Sequence, residues 1–124
     1  MIIKDLKTAR YFETLDGTFI CELLHPDREK KEIKMECSIA HAILRPEESS
    51  HPHRLKKSSE VYFILEGKGL MYIGDEKAVL EPGQSVYIPP GEIQFIKNIS
   101  DVELKFLCVV SPPWSKEDDE ICLE

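Results

Sequence analysis

No run in this sequence approaches the ~20 apolar residues that a membrane-spanning helix needs, and the opening residues MIIKDLKTARYF lack the apolar core of a signal peptide. The expectation is a soluble, cytoplasmic protein with no membrane partner. Cationic charge is also short. Sixteen Lys and Arg stand against 23 Asp and Glu, for a net charge of -7, and they form no cluster that releases counterions from a phosphate backbone, which argues against a nucleic-acid partner. Cys21, Cys37, Cys108 and Cys122 include no C-x-x-C pair and no zinc-finger spacing, so they read as reduced, mostly buried thiols. Sustained 3.6-residue periodicity is missing too, which excludes a helical core.

What remains is a series of short, evenly spaced strand signals. At 124 residues the chain suits one domain, residues 1–124, with a single core. Strand-like segments cover 18–25, 33–44, 60–66, 70–74, 77–80, 84–88, 93–98 and 102–111, separated by turns such as Asp16-Gly17, Asp75-Glu76, the loop 81–83 and Pro89-Pro90-Gly91. Residues 1–15 read as an edge strand or a segment against a partner subunit. Residues 46–59 read as a polar loop. After Pro112-Pro113 the single Trp114 is expected to pack the tail onto the main body, and the acidic tail 115–124 is expected to open a short helix.

Chemistry-bearing residues gather in two stretches. The first, residues 51–67, is HPHRLKKSSEVYFILEG, and the second, residues 83–98, is GQSVYIPPGEIQFIKN. Alternate residues of a strand share a face, which groups Glu60 with Tyr62 and Ile64, and Gln94 with Ile96 and Asn98. If residues 51–55 are extended, His51, His53 and Leu55 align as well. Imidazole, carboxylate and amide oxygen converging on one cavity suit Zn, Mn, Fe or Ni better than calcium. The opposing reading leaves His51 and His53 in solvent and Glu60 as an ordinary strand-edge carboxylate, and spacing alone does not separate the two. His41, in an apolar strand, reads as a hydrogen-bonded structural residue, and Arg45 and Arg54 as solvated loop cations flanking the site.

These two stretches resemble the paired motifs of the cupin superfamily, G-x5-H-x-H-x3,4-E-x6-G and G-x5-P-x-G-x2-H-x3-N. Glu60 is followed by six residues and then Gly67, and Gly83, Pro89, Gly91 and Asn98 occupy the second motif's fixed positions. The resemblance implies an all-β double-stranded β-helix, a jelly-roll cupin barrel with short N- and C-terminal extensions, commonly a homodimer. It also implies a divalent metal held by His53, Glu60 and Gln94. The departures are specific. Leu55 takes the place of one family histidine, Gln94 that of another, and His51 is a reserve ligand in an alternative register. The expected function is binding of a divalent metal, a small polar molecule such as a sugar or carboxylic acid, or both. The alternative is a metal-dependent isomerase or epimerase, with Tyr62 as proton donor.

Overall fold

The computed structural model describes residues 1–123. Among these, every regular element is a strand: β1 (Phe12–Glu13), β2 (Phe19–Leu24), β3 (Ser38–Leu44), β4 (His53–Leu55), β5 (Ser59–Glu66), β6 (Gly69–Ile73), β7 (Glu76–Leu80), β8 (Ser85–Ile88), β9 (Gln94–Asn98), β10 (Leu104–Ser111) and β11 (Asp119–Ile121). They form two antiparallel sheets, ordered β1-β2-β3-β10-β5-β8 and β11-β4-β9-β6-β7. The all-β jelly-roll expectation holds. No helix of the described residues is long and apolar enough to cross a membrane.

Period-two alternation explains which side of each strand is buried. Ile64 of β5, Leu104 and Phe106 of β10, Leu44 of β3 and Ile96 of β9 are sealed between the sheets, and each such side chain contributes ~1.5–3 kcal/mol by leaving water. Their neighbours in sequence face outward. On the six-stranded sheet Val61 lies across from Tyr87 and Val109, and Phe63 from Leu107. Backbone geometry closes the turns. Gly67 sits at a φ of 82°, where a β-carbon would approach the Glu103 carbonyl oxygen to 2.7 Å, so only glycine fits without strain.

Three local expectations are corrected. Residues 33–37 alternate in sequence, yet β3 begins at Ser38, where its pairing with Val110 begins and residues 33–37 find no partner strand. The polar loop 46–59 contains β4, whose three residues are held by pairing with β11 and by the single register contact His53–Gln94. The described residues of the acidic tail form no helix. Its residues Asp119–Ile121 pair with β4, because a strand edge is available there and Asp118 caps it by accepting hydrogen bonds from the Lys57 and Ser58 amides at 2.7 and 3.1 Å.

Candidate functional site

Alternation on β5 turns Glu60 and Tyr62 inward, and alternation on β9 brings Gln94 to meet them. The Gln94 amide donates to Glu60 Oε1 at 2.9 Å, and its Oε1 accepts from the Tyr62 hydroxyl at 3.0 Å. This chain ties the two sheets together through their interior, and all three residues are buried. A buried amide with both ends engaged satisfies the rule that interior polar groups find partners.

His53 stands next to this chain, directly across from Gln94 in the pairing of β4 with β9. Its Nδ1 lies 2.9 Å from Asp119 Oδ1, and Asp119 Oδ2 accepts from the Trp114 indole at 3.0 Å. A neutral His53 donating from Nδ1 to Asp119 keeps Nε2 as an acceptor. That Nε2 is 3.1 Å from Asp16 Oδ2 but off the hydrogen-bond line, and it has no hydrogen-bond partner in the protein although the residue is only 4% exposed. Asp16 is positioned by its turn, since its Oδ1 accepts from the Thr18 amide at 3.0 Å and from the Thr14 hydroxyl.

These groups line a cavity of about 60 Å³ inside the barrel. Asp16, His53, Glu60 and Asp119 form its polar wall, and Ile20, Phe106 and Val110 lie among the apolar residues of the rest. Phe12, 44% exposed, and the partly exposed Trp114 mark the mouth. One water needs ~10–15 Å³ of such space, so the cavity accommodates a molecule of about four to six non-hydrogen atoms.

The cavity perturbs its titrating groups. Burial pushes the Glu60 carboxyl up to about 7, against the opposing pull of His53 and of the Gln94 hydrogen bond. Burial alone would lower His53, but its hydrogen bond to Asp119 and the charges of Asp16, Asp119 and Glu60 prevail and raise it. Burial, reinforced by Glu60, drives the Tyr62 phenol and the Cys108 thiol well above their ordinary values. Tyr62 therefore holds Gln94 in place and is poorly suited to release a proton.

His53 and Glu60 meet at the cavity, and Gln94 stands behind Glu60 without lining the space. His51 is exposed, its ring covering Gly17 with Nε2 3.1 Å from where a β-carbon would stand. Arg45 pairs with Glu48 and Arg54 with Glu120, and neither lines the cavity. His41 hydrogen-bonds the Tyr11 hydroxyl at 2.8 Å on the outer side of β3. Asp16 and Asp119 belong to neither motif stretch, and nothing in their local sequence marks them as site residues. Of the donors that the resemblance assigns to a metal, Glu60 and Gln94 are bonded to each other, His51 is exposed, and His53 keeps Nε2 unpartnered at the cavity. Among the described residues no three His, Cys, Asp or Glu side chains converge to hold a metal ion. With Gln94 committed to Glu60 and Leu55 in place of a second imidazole, the set as arranged does not fit a resident metal.

A family model described as "Cupin domain" matches residues 40–110. The chain is 44% identical over 108 residues to an uncharacterized protein, MJ1618, of Methanocaldococcus jannaschii, covering 87% of this chain and 84% of that one. Among solved structures it is similar to a predicted oxalate decarboxylase from Thermotoga maritima, with a TM-score of 0.75, 21% identity, and 90% and 99% of the two chains covered. It is also similar to KdgF from Halomonas sp., with a TM-score of 0.77, 11% identity, and 94% and 97% covered. At these identities the structural likeness speaks for the fold alone.

Proposed function

The chain belongs to the cupin family, and on that premise we propose that its barrel cavity binds a small polar molecule and exchanges a proton with it through Glu60 and His53. The observation that carries this reading is the unpartnered Nε2 of His53, buried and facing the cavity. A buried ring nitrogen left without a hydrogen bond costs about 1–3 kcal/mol, and a ligand hydroxyl, carbonyl or amine restores that bond. Glu60, at about 7, is poised to give or take a proton at neutral pH, where a general acid or base is most effective. That second feature favours an isomerase- or epimerase-type proton shuttle over a purely passive binding module.

Four groups have distinct tasks in this scheme. Asp119 orients the His53 ring, Gln94 holds the Glu60 carboxyl, Tyr62 holds Gln94, and the apolar wall keeps water from the reacting proton. Ligand-observed NMR in heavy water, with a panel of hydroxy, keto and amino compounds of four to six heavy atoms, tests the reading. Carbonyl compounds that bind should exchange the C–H hydrogen next to their carbonyl for solvent deuterium, and Glu60→Gln should abolish that exchange while binding persists. Binding with no exchange in either protein reduces the function to binding, and an absence of binding across the panel refutes it.

We also propose a cytoplasmic homodimer. The support is the apolar outer face of the six-stranded sheet, where Phe63, Leu65 and Tyr87 are exposed together. Light scattering coupled to gel filtration tests it, and a mass of one chain at micromolar concentration contradicts it.

A further inference from the structure

The cavity wall carries more acid than base. Asp16, Glu22, Glu60 and Asp119 line it, and His53 is its one basic side chain. Glu22 is answered from outside by Arg28, whose guanidinium lies 3.0 Å from Glu22 Oε1. With His53 counted as a cation and Glu60 as neutral, Asp16 and Asp119 still leave the interior wall with an excess of negative charge. In a low-dielectric enclosure that excess weighs heavily, because Coulomb energies grow as water is removed.

Two further features give the charge a direction. His53 Nε2 and Asp16 Oδ2 face one another at 3.1 Å without a hydrogen bond between them. With Nδ1 committed to Asp119 they form a notch of two acceptors, and a group with several N–H donors fills such a notch, whereas a carboxylate adds a third acceptor. The mouth also bears Trp114, whose ring already has the Arg28 guanidinium 5.6 Å from its centroid, and aromatic faces attract cations. Glu22 Oε2, at the same end, is buried and unpartnered as well.

We propose that the ligand of this cavity carries a primary ammonium, seated between His53 Nε2 and Asp16 Oδ2, and that the site rejects anions of the same size. This rests on the reading that the cavity binds a small polar molecule and names its class as small amines such as amino alcohols. The groups facing the ammonium come from every wall: Asp16 from the turn before β2, Glu22 from β2, Glu60 and Tyr62 from β5, Cys108 from β10 and Asp119 from β11.

Three small probes separate charge from shape: ethanolamine, a cation at neutral pH, ethylene glycol, which is neutral and of the same size, and glycolate, an anion larger by a single atom. The full-length protein is titrated with each in buffer containing EDTA, followed by Trp114 fluorescence and ligand-observed NMR. Ethanolamine should bind at least tenfold more tightly than ethylene glycol, with glycolate weakest. Asp16→Asn should weaken ethanolamine and spare ethylene glycol. Because Asp16 also holds its own turn, the order of the three probes on the unsubstituted protein stands whatever that variant does. Glycolate or ethylene glycol binding as well as ethanolamine overturns the ammonium assignment and leaves the cavity reading intact, and failure of all three overturns the assignment while the wider panel decides the cavity.

Discussion

His53 and Asp119 are 66 residues apart in sequence, yet Nδ1 of one lies 2.9 Å from Oδ1 of the other. The contact exists because the tail returns as β11 to pair with β4, and the Trp114 indole holds the second carboxylate oxygen at 3.0 Å. The polar wall of the cavity is therefore closed by the last strand of the chain. Asp119→Asn should leave the fold intact, weaken ligand binding about tenfold, and lower the His53 titration midpoint seen by NMR. An unchanged midpoint contradicts the orienting role.

Glu60 and His53 set the direction in which stability depends on pH. Both have folded-state values raised above their ordinary ones, so each contributes stability that is fully present below the unfolded value and is lost as pH rises through the folded value. For Glu60 that window runs from 4.5 to about 7, and the shift corresponds to about 3 kcal/mol. Urea unfolding at pH 5 and pH 8 should show the native protein losing more stability than Glu60→Gln by an amount of that order. Equal losses contradict it.

Tyr62→Phe removes one hydroxyl from the interior chain and leaves the fully buried Gln94 carbonyl without its donor. The cost should be about 1–3 kcal/mol, measured by denaturant unfolding, with little change in the six-stranded sheet. A neutral substitution means that the hydrogen bond is not formed in solution.

Metal removal should have no effect on binding. Gln94 is committed to Glu60 and His53 Nδ1 to Asp119, and no three of the described His, Cys, Asp and Glu residues converge on one point to hold a metal. Dialysis against EDTA should leave both Tm and ligand affinity unchanged, and added zinc or manganese should shift Tm by less than a cavity ligand does. A metal that copurifies in stoichiometric amount and whose removal lowers Tm contradicts this arrangement.

Much of the fold was legible from the chain, because alternation and turn residues are local signals. The grouping of Glu60, Tyr62 and Ile64 on one face, and of Gln94, Ile96 and Asn98 on another, follows from strand period, and all six are buried between the sheets. Trp114 packs its tail against the barrel as its size indicated. The short β4 and β11 were not legible, because three residues carry too little pattern: β11 exists only by pairing with β4, and β4 by pairing with β11 and β9. For the same reason Asp16 and Asp119 stayed hidden. One sits in an ordinary Asp-Gly turn and the other in an acidic run, and only long-range pairing brings both against His53.

The cavity itself is tested most directly by filling it. Ala40 of β3 lines the space, and Ala40→Leu fills part of it while leaving Asp16, His53 and Glu60 unsubstituted. Trp114, the single tryptophan, reports from the mouth. Titration of the unsubstituted and Ala40→Leu proteins with the tightest-binding small compound, read by tryptophan fluorescence, should show at least a tenfold loss of affinity in the variant with its strand circular dichroism unchanged. Equal affinity in the two folded proteins would contradict a binding site inside the barrel.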